Sequence, residues 1–77
     1  MDINSFINNF ASQFEETDVN EFLGETKFRN LEEWSSFLTL SIIAMIDEEY
    51  NVKIKGDDIQ KSSTIEDLYN IVKSRML

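Results

Sequence analysis

The sequence predicts an all-α bundle of three longer helices and one short helix, joined by a long first connection. Three observations lead there. Apolar residues recur at helical spacing near both ends, proline is absent, and glycine occurs only at Gly24 and Gly56. Strand-like alternation is confined to Val52-Lys53-Ile54-Lys55, and a lone strand of that length has nothing to pair with.

The elements follow in order. Asp2 can cap a first helix whose stripe is Ile3, Phe6, Ile7, Phe10 and Phe14, ending near Glu15-Glu16. Residues 17–35 form a long connection for so small a domain, and such connections tend to be functional or poorly ordered. Val19, Phe22, Leu23, Phe28, Leu31 and Trp34 supply enough apolar surface to pin it to the core, with a helical turn expected around Asn30–Glu33. A second helix should start at Ser35 or Ser36 and run to about Asn51. Eight of the ten residues from Phe37 to Ile46 are apolar, so this helix should be central and enclosed on most sides. Val52 and Ile54 should turn inward from an extended connector, and Asp57 or Asp58 should cap a short helix around Ile59. Ser63 or Thr64 should cap the last helix, with Glu66 or Asp67 completing a capping box. Its stripe is Ile65, Leu68, Tyr69, Ile71, Val72 and Met76, and Lys73 and Arg75 suit its negative C-terminal end.

Seventy-seven residues make one domain, 1–77, near the lower limit for a self-supporting core. Six phenylalanines and a 42% hydrophobic content are enough for that core. The net charge of −8 is concentrated in residues 1–52, which hold eleven acidic and two basic side chains. Nucleic-acid binding is therefore disfavoured, since phosphate neutralisation needs clustered cations. A basic protein partner is favoured, because an acidic surface speeds its encounter. With no Cys and no His, there is no thiolate metal site and no ready base for a nucleophile. The chain is thus expected not to be an enzyme. The apolar run 37–46 is about half a membrane crossing and is followed by Asp47-Glu48-Glu49, so it reads as a core helix. No basic-then-apolar leader opens the chain; a cytoplasmic monomer without membrane insertion is expected.

The remaining candidate for chemistry is Trp34-Ser35-Ser36-Phe37, which sets a serine hydroxyl at the start of the second helix. Such a hydroxyl suits modification by another enzyme better than catalysis.

In this region the chain resembles the acyl carrier protein family, whose Asp-Ser-Leu triplet opens the second helix where Ser35-Ser36-Phe37 stands here. Leu40, Ile43, Ile46, Glu48-Glu49-Tyr50, Val52, Ile54, Asp57-Asp58, Thr64-Ile65 and Leu68 continue the similarity, which covers about Leu31 to Val72. Trp34 resembles the Trp-Asp-Ser-Leu variant of stand-alone carriers from bacterial biosynthetic clusters. The resemblance implies an acyl-carrier-like four-helix bundle that carries 4′-phosphopantetheine, taken from coenzyme A, on Ser36, with Ser35 the second choice. It implies delivery of acyl or aminoacyl groups as thioesters. It also implies as partners a phosphopantetheinyl transferase and the enzymes that load and accept the acyl group.

Three departures stand out. Ser35 replaces the family's Asp; it can cap the helix equally well but lacks the charge that engages the transferase. Phe37 replaces Leu or Ile. Taking one hundred degrees per residue, Leu38, Ser41, Met45 and Glu48 share a face, with Glu49 at its edge, and this is the expected docking surface. Leu38 and Met45 would there present apolar contact where the family shows carboxylates. The alternative reading keeps the fold and drops the arm, leaving a carrier-like docking protein that is not phosphopantetheinylated.

Overall fold

The computed structural model describes residues 1–76. Four helices surround one hydrophobic core: α1 (Ile3–Ala11), α2 (Ser36–Tyr50), α3 (Gly56–Gln60) and α4 (Ile65–Arg75). There is no strand among the described residues. Three longer helices and one short helix, with a long connection after the first, is the architecture that the periodicity implies. No helix among the described residues is long and apolar enough to cross a membrane.

The Asp2 carboxylate accepts the Ser5 N–H at 3.1 Å and opens α1. Phe6 and Phe10 are fully buried, while Ile3 and Ile7 pack partly exposed against the core. The helix stops at Ala11 rather than near Glu15-Glu16. Ser12 Oγ and Gln13 Nε2 both donate to the Asn9 carbonyl, at 2.7 and 3.3 Å. The next backbone bonds, Gln13 N–H to Phe10 O and Phe14 N–H to Ala11 O, tighten to the three-residue spacing of a 3₁₀ turn. That turn still delivers Phe14 to the core.

The connection is ordered by its aromatic side chains. Phe22 and Phe28 are buried and Trp34 is half-buried, forming with Phe10 and Phe14 a cluster of ring contacts 4.8–6.2 Å apart. Val19 and Leu23, expected to help pin it, are exposed instead, because both sit at turns that face away from the core. Short 3₁₀ turns occupy Val19–Glu21 and Phe28–Asn30, and a further turn closed by the Trp34 N–H on the Leu31 carbonyl at 3.0 Å falls in the expected stretch. The carbonyls of Gly24 and Thr26 accept the N–H groups of Glu66 and Ile65, at 2.9 and 3.2 Å. Two otherwise unsatisfied donors at the start of α4 thereby bind the connection. Arg29 fixes its far side, donating to the carbonyls of Ser62 and Gln60 just after and at the end of α3.

Leu38, Ile42, Met45 and Ile46 form the buried side of α2. Asn51 ends the helix in the left-handed conformation, φ 56°, which asparagine tolerates better than most residues. Val52 and Ile54 then point inward from extended backbone, as expected. The start of α3 differs from expectation: Lys55 occupies the capping position and Gly56 is the first helical residue. Asp58 lies one turn in, and its carboxylate reaches back to the Lys55 N–H at 2.9 Å. The other end of the chain shares this carboxylate. Arg75, placed by its charge near the end of α4, donates to both Asp58 oxygens at 2.7 and 2.8 Å. The Thr64–Asp67 capping box opens α4, and Ile65, Leu68, Tyr69 and Val72 are its buried stripe. Ile71 is only partly buried, and Met76 lies beyond the last helical turn, exposed.

Candidate functional site at the start of the second helix

The two serines at the start of α2 are not equivalent. Ser35 has extended backbone and caps the helix; its hydroxyl accepts the Leu38 N–H at 3.3 Å and its carbonyl accepts the Thr39 N–H at 3.1 Å. Ser36 is the first helical residue and is exposed. Its hydroxyl makes no hydrogen bond to the protein among the described residues. One hydroxyl is committed to the fold and the next is available to a reagent from outside.

The segment leading to this hydroxyl is held on two sides. Trp34 stacks on Phe14 with ring centroids 6.2 Å apart and meets Phe28 edge-on at 5.1 Å. Beside it the Glu33 carboxylate accepts the N–H groups of Glu15, Glu16 and Thr17 at 2.8, 3.0 and 2.9 Å, and the Thr17 hydroxyl at 2.8 Å. The Glu15 N–H, then those other donors, hold the Glu33 carboxyl below the usual carboxylate range against a smaller opposing effect of burial. The exit of α1 is thus tied to the residues just before α2, and Ser36 sits on a positioned helix rather than on a mobile loop.

The electrostatics around the hydroxyl are mixed. The first turn of α2 has no acidic residue, and the positive end of the helix dipole favours an anion there. An open cavity of about 450 Å³ lies against the segment before α2, lined by Glu16, Thr17, Glu21, Leu31, Glu32 and Glu33. With four glutamates and one leucine on its walls, it is unsuited to an acyl chain.

The expected docking face is rotated. Leu38 and Met45 lie on one side, as the helical angles require, but that side is the core: they are 3% and 6% exposed. Ser41 is half-buried, and only Glu48 and Glu49 of the expected set are exposed. The segment also fails to be enclosed all round, because Phe37 is 74% and Leu40 66% exposed. A run that is apolar on every side has no periodicity to say which side faces inward. The face drawn through Leu38, Ser41, Met45 and Glu48 takes in Glu49 at its edge, but Glu49 lies on the buried side and is exposed only because it is near the end of the helix. Asp47 with Glu48 marks the outer face better; about one, two and three turns back from them lie Ala44, Leu40 and Phe37. That signal was present in the sequence.

No protein-family model matches this chain, and no curated protein or solved structure is significantly similar to it.

Proposed function

We propose that the chain is a stand-alone acyl carrier, phosphopantetheinylated on Ser36, that delivers acyl or aminoacyl groups to biosynthetic enzymes. The observation that carries the reading is the contrast between the bonded cap hydroxyl of Ser35 and the exposed, unbonded hydroxyl of Ser36 at the first position of α2. These residues fit the arm: an accessible oxygen for the bond, a helix end that favours the phosphate, and no carboxylate in the first turn to repel it. The arm would supply a thiol, which the chain otherwise lacks.

The reaction asks little of the chain. Ser36 Oγ gives up its proton to a base of the transferase and forms the new O–P bond. The pyrophosphate linkage of coenzyme A breaks, and adenosine 3′,5′-bisphosphate leaves. What the chain contributes is position, through Trp34 and the Glu33 clamp, and an acidic surface at Glu48 and Glu49 for basic enzyme partners. The test is the intact mass after incubation with coenzyme A and a broad-specificity phosphopantetheinyl transferase. A gain of one phosphopantetheine, absent in Ser36→Ala, is expected; an unchanged mass overturns the reading.

A further inference from the structure

Away from α2, the cations are placed against the trend of the chain. Residues 1–52 hold eleven acidic side chains and only two basic ones, Lys27 and Arg29. Both line one small cavity of about 140 Å³, whose remaining walls are Asn30 and Ser63. No carboxylate lines it, although the chain as a whole is at −8. Two distant segments build this cavity. Lys27, Arg29 and Asn30 belong to the turn at Phe28–Asn30, and Ser63 lies between α3 and α4. Arg29 joins them, because its Nε and Nη2 donate to the carbonyls of Ser62 and Gln60 at 3.1–3.2 Å. That leaves Arg29 Nη1 without a partner among the described residues. The Lys27 ammonium, the Asn30 amide and the Ser63 hydroxyl likewise make no hydrogen bond among the described residues, and Asp67 takes only the backbone N–H of Ser63, at 3.0 Å.

We propose that this cavity binds a phosphate group, either the free anion or the terminal monoester of a small molecule. Charge and donors both select it. Lys27 and Arg29 balance the charge of about −1.5 to −2 that a phosphate monoester carries near neutral pH. Four unpaired donor groups serve its several acceptor oxygens, and a guanidinium is the side chain best matched to them. Size makes the same selection. At ~30 Å³ per water, the cavity holds the equivalent of about five waters, which is room for one tetrahedral oxyanion. Sites that enclose a whole ligand start at about 300 Å³, so the rest of a larger molecule would lie in solvent. The start of α4 is not the binding element: the N–H groups of Ile65, Glu66 and Asp67 are already taken by Thr26, Gly24 and Thr64. Because the walls are exposed or half-buried, solvent weakens each ionic contact and the affinity is modest. The two segments meet only in the folded chain, so bound phosphate stabilises it. No residue here belongs to the candidate site at Ser36, and the two proposals stand or fall separately.

The test is titration of sodium phosphate into the ¹⁵N-labelled chain, with chloride and acetate at matched ionic strength for comparison. Amide shifts should be largest at Lys27, Arg29, Asn30 and Ser63 and should saturate in the millimolar range, with a rise in the thermal midpoint that chloride does not give. Lys27→Gln should weaken binding by about fivefold or more, and Ser63→Ala by about threefold, with the midpoint in chloride unmoved. Methyl phosphate, titrated in parallel, distinguishes the sources: tighter binding than inorganic phosphate identifies a monoester, and equal or weaker binding identifies the free anion. Shifts centred elsewhere, shifts that never saturate, the same shifts from chloride or acetate, or binding undiminished in Lys27→Gln overturns the proposal.

Discussion

Replacing Asp58 with asparagine removes a charge but keeps a side-chain oxygen that can still accept the Lys55 N–H, so it isolates the pairing with Arg75. Asp58 is 6% exposed. Two hydrogen bonds from Arg75, then the Lys55 N–H, lower its pKa from 3.8 to about 2, against an opposing effect of burial. A shift of that size corresponds to about 2 kcal/mol. The Arg75 side chain, however, is 43% exposed, and solvent screening brings the expected contribution to about 1–2 kcal/mol. Because the folded value lies below the unfolded one, this stability is fully present above pH 3.8 and is lost as the pH falls toward about 2. In a domain this small, each kcal/mol moves the thermal midpoint by roughly 4–8 °C. Asp58→Asn should therefore lower the midpoint by about 5–15 °C at pH 7 and have little effect near pH 2. Urea unfolding followed by the fluorescence of Trp34 gives the same comparison in free energy. Equal stabilities at pH 7, or a difference that persists undiminished at pH 2, would refute the reasoning.

Other outcomes follow from the two sides of α2 and from the segment before it. Leu38→Ala should cost about 2–5 kcal/mol because it empties a buried site, whereas Phe37→Ala should change stability by less than about 0.5 kcal/mol; chemical denaturation of the pair distinguishes them. Ser35→Ala should cost about 1 kcal/mol through the lost cap and leave Ser36 open to modification, as the intact mass of the treated variant would show. Glu33→Ala removes the acceptor of four hydrogen bonds. It should raise amide hydrogen exchange at Glu15, Glu16 and Thr17 well before exchange in α4 changes.

The helices were legible where a local rule decides them. Asp2, Thr64 with Asp67, and the two serines before an apolar run are start signals that act over three or four residues, and the structure uses each. The end of α1 was less so, because Glu15-Glu16 can extend a helix as readily as leave one; the competition of Ser12 and Gln13 for the Asn9 carbonyl is visible only in three dimensions. The same holds for contacts that join distant parts of the chain. Glu33 to residues 15–17, Arg29 to Ser62 and Arg75 to Asp58 span sixteen to thirty-three residues, and nothing in a charge pattern specifies such partners. At the candidate site, the start of α2 and the exposure of Ser36 could be inferred from capping alone. The direction of the docking face could not be taken from the apolar run, and Leu38 and Met45 were misplaced for that reason.

The central claim is the inequality of Ser35 and Ser36, and tandem mass spectrometry of the peptide spanning them tests it most directly. After treatment with coenzyme A and the transferase, fragments should place the arm on Ser36 alone. Loading should disappear in Ser36→Ala, persist in Ser35→Ala, and speed up in Ser35→Asp, which adds charge at the capping position. An arm found on Ser35, or loading that survives Ser36→Ala and is lost in Ser35→Ala, would contradict the account.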